Sequence, residues 1–279
     1  MGQSNQDLLI RGSIDNGVND IVQRGSHSME FLGFSILSLN EGESKTLKFA
    51  DEEAALVVLT GVASVKVGGQ SYERIGGRQT VFQANPATVY VPCRHEATVI
   101  GAGPGPVSVA VCSATSTLER APAYIAPEDV KVKTVGRANW TRNVRDIIDS
   151  TFEADHLVIG ETVNPPGNWS SSPPHKHEVD DLPYEVKMEE IYFYQLNPQQ
   201  GFGVQRVYTD DRELDVTYSV EHNDTVLLPK GYHPVGAAPG YQLYYLWFMA
   251  GPSSRELRPK DDPAHSWLKS VEPVIDTLG

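Results

Sequence analysis

The sequence has little cysteine, no long apolar run and no targeting signal, and each shortage excludes a class of protein. Its two cysteines, Cys93 and Cys112, cannot form a disulfide framework, and their spacing matches no zinc or thiol-redox motif. We expect both to be buried thiols. No apolar stretch approaches the about 18 residues that span a bilayer, and the N-terminus lacks the basic flank and apolar centre of a secretory signal. The sequence therefore predicts a cytoplasmic protein that does not span a membrane.

Basic residues are also scarce. Only 23 lysines and arginines stand against 36 aspartates and glutamates, which gives a net charge of −13. Such a field opposes attachment to nucleic acid or to anionic lipid, so we expect neither as a partner. If the ligand is itself an anion, the protein must gather cations locally.

Helical periodicity is nearly absent, whereas short runs rich in Val, Ile, Tyr and Phe recur between Gly, Pro and Asn. That pattern indicates many short strands. The clearest are AALVVLTGVASVKVGG, ATVYVP, PVSVAVCSA, HLVIGETV, EIYFYQL, GFGVQRVYT, DTVLLP and YQLYYLWFMAG. The predicted fold class is all-β.

An internal repeat divides the chain in two. TVYVPCRHEA at residues 88–97 resembles TVLLPKGYHP at 225–234, a shift of 137 positions that also places Glu52-Glu53 on Glu189-Glu190. Duplicated β segments indicate two homologous units, which we place roughly at 25–120 and 140–260. We set the boundary between residues 1–130 and 131–279. The intervening segment ERAPAYIAPEDVKVKTVGRANW is a predicted linker, followed by a short ordered turn in TRNVRDIID.

The second half carries a candidate metal site. His175 and His177 are one residue apart, so on a strand both point to the same face. Glu190 opens the next strand, and a Pro-Lys-Gly-Tyr turn delivers His233. Three imidazoles and a carboxylate suit zinc first, and also manganese, iron, cobalt or nickel. The alternative interpretation of this stretch is a polar turn followed by an ordinary strand.

The first half serves as an internal control. The shift of 137 places Ser38 and Asn40 where the two histidines would lie, and His95 stands near the position of His233 without companions. We expect one divalent metal ion per chain, held in the second unit. The remaining histidines are predicted not to be ligands: His27, His156, His222 and His265.

These motifs, PPHKHE, EEIYFY and PKGYHP, resemble the pattern of the cupin superfamily, and two such units would make a bicupin of two tandem β-barrel or jelly-roll units. More narrowly, NPPGNWSSSPPHKHE, QRVYTDDRELD and MAGP are similar to the 5-deoxyglucuronate isomerase family of myo-inositol breakdown. The resemblance implies an aldose–ketose isomerisation of 5-deoxy-D-glucuronate to 2-deoxy-5-keto-D-gluconate. It also implies that His175, His177, Glu190 and His233 bind the metal.

Candidates for proton transfer and substrate binding follow from the same alternation. Tyr192 and Tyr194 share the face of Glu190, while Ile191 and Phe193 turn away. The two tyrosines could donate or relay protons, or they could simply pack in a core. For the substrate carboxylate, Arg206 is the first candidate and Lys187 and Arg142 are the next. Gln205 and Arg206 alternate, so only one of the two can face the pocket. An arginine in such a strand can also be a solvent residue.

Three alternatives to this function stay open. One is an isomerase of a related deoxy-uronate, another an iron-dependent dioxygenase, and the third a non-catalytic sugar-binding cupin similar to seed storage proteins. The expected partner is a small sugar acid, and association into a homo-oligomer is possible for a bicupin.

Overall fold

The computed structural model describes residues 7–278 and consists mostly of antiparallel β-strands. Eleven strands precede residue 130: β1 Leu9–Ile10, β2 Gly17–Val22, β3 Leu32–Leu39, β4 Ser44–Phe49, β5 Glu52–Thr60, β6 Val62–Val67, β7 Gln70–Gly76, β8 Thr88–Val91, β9 His95–Gly101, β10 Val107–Thr115 and β11 Ala123–Ile125.

Twelve further strands follow: β12 Lys131–Val135, β13 Arg142–Ile148, β14 Val158–Asn164, β15 Trp169–Ser170, β16 His175–Lys176, β17 Glu189–Asn197, β18 Gly203–Tyr208, β19 Asp215–Val220, β20 Thr225–Leu228, β21 Val235–Ala237, β22 Gln242–Ala250 and β23 Lys260–Asp261. A 3-10 turn at Ala138–Trp140 precedes β13, and a helix, α1, spans Trp267–Leu278. No helix within residues 7–278 is both long and apolar enough to cross a membrane.

Each half of the chain forms two facing sheets. In the first half a six-stranded sheet, β11-β8-β5-β10-β3-β2, accompanies a four-stranded sheet, β4-β9-β6-β7. In the second half a seven-stranded sheet, β1-β20-β17-β22-β14-β13-β12, accompanies a four-stranded sheet, β15-β21-β18-β19, and the pair β16-β23. The prediction of an all-β chain with two similar units is confirmed.

The connection between the units is more ordered than a linker. Its residues supply β11 to the first unit and β12 to the second, so sheet membership changes between Ile125 and Lys131. The segment predicted as a turn is instead the strand β13, paired on both sides. Strand β1, which the boundary at residue 130 assigns to the first unit, pairs with β20 of the second. The N-terminal segment therefore crosses to the other unit.

Side-chain alternation along β17 builds two different surfaces. Glu190, Tyr192 and Tyr194 turn into the second unit, whereas Phe193 turns to the first, where its ring centre lies 5.5 Å from that of Phe34. Phe34 also contacts Phe248, at 5.3 Å between ring centres. The larger sheets of the two units thus pack face to face across one shared apolar layer.

Two buried glutamates join the units reciprocally. Glu53 of the first unit accepts backbone N–H bonds of 2.6–2.8 Å from residues 155–157 of the second. Glu189 of the second unit accepts bonds of 2.7–2.8 Å from residues 30–32 of the first. The matching contacts make Glu53 the counterpart of Glu189, an offset of 136 rather than 137. Ala54, fully buried, is then the counterpart of Glu190.

The interior of the first unit is filled with apolar side chains. Leu56 and Val58 of β5 pack there with Val89, Val91 and the alanine at 54. Closely packed apolar side chains thus fill the place where the second unit has Glu190.

Candidate active site

A cavity of about 340 Å³ lies inside the second unit, between β13, β14, β17, β22 and the segment 257–259. This is large enough for a small sugar acid. Potential metal ligands, aromatic rings and cations share its walls: His175, His177 and Glu190; Tyr192, Tyr245 and Trp247; Lys133, Arg142 and Arg258.

Three potential metal ligands converge beside this cavity. The Nε2 atoms of His177 and His233 lie 3.1 Å and 3.3 Å from the same carboxylate oxygen of Glu190. The ligand atoms of all three residues lie within 4.8 Å of one another, and all three side chains are buried. Donors about 2.1 Å from a tetrahedral ion would lie roughly 3.4 Å apart, so a single cation fits this group.

Backbone contacts fix which ring nitrogen faces the centre. His177 Nδ1 bonds the carbonyl of Met188 at 2.7 Å, and His233 Nδ1 bonds that of Gly231 at 2.9 Å. A carbonyl only accepts, so each Nδ1 carries a proton and each Nε2 is turned toward Glu190. The Nε2 of His233 is buried and has no hydrogen-bond partner among the described residues. A buried ring nitrogen without a partner is unfavourable, and a divalent cation would satisfy it together with His177 Nε2 and the Glu190 carboxylate, which otherwise bond each other at 3.1 Å.

The electrostatics of the rings differ. Burial lowers the pKa of His233 to about 3, and burial together with the neighbouring His177 lowers the pKa of His175 to about 3. Burial also acts on His177, but its bond to Glu190 outweighs that effect and raises the pKa. Neutral rings are the form in which histidine binds a metal.

His175, the fourth predicted ligand, lies next to the group rather than within it. Its ring centre is 4.9 Å from that of His233 and 6.4 Å from that of His177. Its nitrogens fall outside the set of atoms within 4.8 Å. The structure therefore brings three of the four predicted ligands together and places the fourth beside them, facing the same cavity.

The two predicted tyrosines have different surroundings. Tyr192 lines the cavity, with its hydroxyl 3.3 Å from Ser171 Oγ. Tyr194 is deeper and donates its hydroxyl to Gln205. Burial raises the pKa of both phenols well above the ordinary value. Of the pair, Tyr192 is the one placed to reach a bound molecule.

The first candidate for binding the substrate carboxylate, Arg206, is corrected by the structure. Arg206 binds Asp215 through Nε and Nη2 at 2.8 Å and 2.7 Å, and its side chain is 41% exposed. Gln205 takes the inward position and is fully buried. The pleat of β18 allows only one of these neighbours to face inward. Lys187 does not line the cavity either, whereas Arg142 does.

Tyr245 was not among the site residues predicted from the sequence. It lines the cavity, and its ring centre lies 4.5 Å from that of Tyr192. Its hydroxyl donates to Ser170 Oγ at 2.9 Å. Its position follows from the pairing of β22 with β17, which sets Tyr245 opposite Tyr194. In the sequence it stands within one long apolar run.

The sequence matches the model of the KduI/IolB family over residues 9–268. The chain belongs to the KduI/IolB family. A relative from Geobacillus kaustophilus named 5-deoxy-glucuronate isomerase is 41% identical over 264 residues, which cover 94% of this chain and 95% of that protein. The predicted family resemblance is confirmed.

Solved structures agree on the fold of this KduI/IolB protein. An iolb-like protein from Salmonella typhimurium superposes with a TM-score of 0.90 at 37% identity, covering 94% of this chain and 99% of that one. Lactobacillus farciminis oxalate decarboxylase, in a formate complex, superposes with a TM-score of 0.66 at 13% identity, covering 99% and 94%. That second likeness concerns the fold alone, and the predicted two-unit cupin architecture is confirmed.

The first unit of this KduI/IolB chain repeats one element of the site without the rest. His95 Nδ1 bonds the carbonyl of Cys93, two residues earlier, as His233 bonds Gly231. The residue opposite His95 in its sheet is Phe49. Within residues 7–278, His177, Glu190 and His233 form the single group of three or more potential ligands. Cys93 and Cys112 are free and buried, as predicted.

Proposed function

We propose that this chain is a metal-dependent aldose–ketose isomerase that converts 5-deoxy-D-glucuronate to 2-deoxy-5-keto-D-gluconate, a step of myo-inositol breakdown. The observation that carries the proposal is the buried convergence of His177, Glu190 and His233 on one point beside a cavity with phenols and cations. The name of the relative that is 41% identical supports the choice of substrate.

His177, Glu190 and His233 would hold one divalent cation, with His175 as the fourth ligand. Zinc suits this donor set first, and manganese, iron, cobalt and nickel also suit it. When bound, such an ion supplies Lewis-acid polarisation of a carbonyl oxygen.

The chain's own residues prepare the cavity for isomerisation. The backbone carbonyls of Met188 and Gly231 hold the two imidazoles in one tautomer and one orientation. Tyr192 offers a phenol O–H at the cavity wall, with Ser171 Oγ 3.3 Å away to receive or return the proton. An aldose–ketose conversion moves hydrogen between the C1 and C2 oxygens as well as between their carbons. Tyr192 is the group we assign to the oxygen step.

The test is a measurement of ketone formation from 5-deoxy-D-glucuronate by the purified protein as isolated, after chelation, and after a divalent metal is added back. We expect activity as isolated, near-complete loss after chelation and recovery with the metal. Full activity in protein shown by elemental analysis to be metal-free would contradict the metal dependence. No ketone from fully loaded protein would contradict the substrate.

A further inference from the structure

Arg142 differs from the other cations of the cavity in having no anionic partner. Lys133 is paired with Asp146 at 2.7 Å, and Arg258 is paired with Glu256 at 2.7 Å. Among the described residues, no carboxylate lies within 4.0 Å of Arg142, and its one side-chain hydrogen bond goes to the carbonyl of Trp140 at 3.3 Å. A guanidinium has five N–H donors, and most of those of Arg142, which lines the cavity, have no acceptor among the described residues.

The surroundings of Arg142 are built to hold it there. Gly136 adopts a φ of +78°, and a Cβ at that position would lie 2.9 Å from Arg142 Nη1 and 2.2 Å from the Trp140 carbonyl oxygen. Only glycine at position 136 therefore leaves room for the guanidinium and the Trp140 carbonyl to lie so close to its own backbone. Trp140 in turn donates its indole N–H to Glu272 of α1 at 2.8 Å. The C-terminal helix thus fixes the turn that precedes the arginine.

An unpaired guanidinium in this cavity meets a requirement set by the whole chain. With a net charge of −13, the protein repels anions at long range, and a sugar acid needs a local cation that no protein carboxylate has already neutralised. The planar fork of arginine matches a carboxylate through two parallel hydrogen bonds. Arg206, by contrast, already makes such a pair with Asp215.

We propose that Arg142 binds the carboxylate of the substrate and makes the enzyme select a sugar acid over the corresponding neutral sugar. This inference rests on the proposed function and adds the orientation of the substrate. The carboxylate end lies against Arg142, and the carbonyl end lies against the group formed by His177, Glu190 and His233.

The experiment compares Arg142→Met and Arg142→Lys with the wild-type protein on two compounds. These are 5-deoxy-D-glucuronate and 5-deoxy-D-glucose, which has a hydroxymethyl group in place of the carboxylate. Losing one partner of a largely desolvated charge pair weakens binding on the order of 30- to 1,000-fold. We expect Arg142→Met to lower kcat/KM for the acid by that factor, mainly through KM, and to change kcat/KM for the neutral sugar by less than about threefold. Arg142→Lys keeps the charge but not the fork, so its loss is intermediate.

Two controls accompany these variants. Arg94→Met removes an exposed arginine paired with Glu119 in the first unit and should leave both substrates unaffected. Arg206→Met tests the arginine that was the first candidate from the sequence for binding the substrate carboxylate. Circular dichroism and metal content establish that each variant folds and loads metal as the wild type does. Should Arg142→Met fail to fold, Arg142→Lys decides.

An unchanged preference for the acid in Arg142→Met, or in Arg142→Lys where only that variant folds, overturns the assignment and leaves the proposed function standing. Loss of the preference in Arg206→Met with Arg142→Met unchanged overturns it as well. If the loaded wild-type protein isomerises neither compound, the proposed function itself fails, and the two failures are therefore distinguishable.

Discussion

Two histidines of this chain form the same bond to the carbonyl two residues before them, yet only one has partners for a metal. His233 lies beside His177 and Glu190, whereas His95 lies opposite Phe49. We expect His233→Ala to weaken metal binding by more than the roughly 10- to 100-fold that losing an outer hydrogen-bond partner of a ligand causes. His95→Ala is the matched control and should retain one metal per chain. Elemental analysis after dialysis measures both, and stoichiometric metal in His233→Ala would contradict the site.

The two tyrosines of β17 offer a second comparison of single residues. Tyr192→Phe removes the hydroxyl at the cavity wall and should lower kcat on the order of 100-fold or more, since positioned proton donors contribute that much. Tyr194→Phe leaves Gln205 Oε1 without its buried donor, which should cost about 1–3 kcal/mol of unfolding free energy with little change in kcat. Steady-state kinetics and urea denaturation separate the two effects. If Tyr192→Phe and Tyr194→Phe have the same kcat, Tyr192 does not take part in proton transfer.

Single residues were predictable from the sequence where alternation along one strand was sufficient. Glu190, Tyr192 and Tyr194 share one face as predicted, because a strand fixes that relation by itself. The choice between Gln205 and Arg206 was wrong because the sequence does not tell which face of β18 meets the interior. Arg142, ranked behind Arg206, lines the cavity, and the segment that carries it is a strand rather than the predicted turn.

At the scale of elements, the segment that carries two histidines is bonded to the turn that carries the third. Lys176, between His175 and His177, is buried and binds both Glu178 and Asp210, the latter at 2.6 Å. Glu178 accepts the backbone N–H of Gly231 at 3.0 Å. Asp210 accepts the hydroxyl of the following residue, Tyr232, at 2.9 Å. The lysine thus connects β16 to the residues that immediately precede His233.

Lys176→Met should therefore weaken metal binding roughly 10- to 100-fold without removing a ligand, because the histidines lose their fixed relative position. Lys260→Met is the matched control, since Lys260 lies opposite Lys176 in the β16–β23 pair and is exposed. Competition against a chromophoric chelator gives both affinities. If Lys176→Met lowers thermal stability while its metal affinity equals that of Lys260→Met, the lysine supports the fold and not the site.

Elements with distant partners were the ones that sequence reasoning did not find. Strand β16 has two residues and forms only by pairing with β23, which begins some 85 positions later in the sequence (260 minus 175). Strand β13 carries Arg142 and Asp146 on the side of the cavity, and these charges made it look like a turn. Long, apolar strands such as β17 and β22 were recognised because their local pattern suffices.

At the scale of the whole molecule, the repeat predicted two units but not what joins them. Alternation shows that Phe193 turns away from the site, yet its partner Phe34 is far away in the sequence. The reciprocal contacts of Glu53 and Glu189 likewise depend on how the two sheets meet. Such contacts form only after both units are in place, so no local pattern encodes them.

A buried ion pair provides the strongest test of that junction. Arg78 of the first unit donates to both carboxylate oxygens of Glu161 in the second, at 2.6 Å and 3.0 Å. Arg145 and the hydroxyl of Tyr244 bind the same carboxylate at 3.0 Å and 2.8 Å. Both members of the pair are almost inaccessible to solvent, so neither can be compensated by water if the other is removed.

Arg78→Met should lower the free energy of unfolding by about 3 kcal/mol, the lower end of the usual cost of breaking a buried ion pair, because Arg145 and Tyr244 still bind Glu161. Lys48→Met provides the comparison, because Lys48 and Glu96 form an exposed pair of 2.8 Å, and exposed pairs contribute about 0.2–1 kcal/mol. The combined change Arg78→Met with Glu161→Leu should cost less than the sum of its parts, since no charge of the pair is then left alone. Urea denaturation followed by circular dichroism measures the two single changes, the combined change, Lys48→Met and the wild type. A cost for Arg78→Met no greater than that for Lys48→Met would show that the two units are held together by their apolar layer and not by this pair.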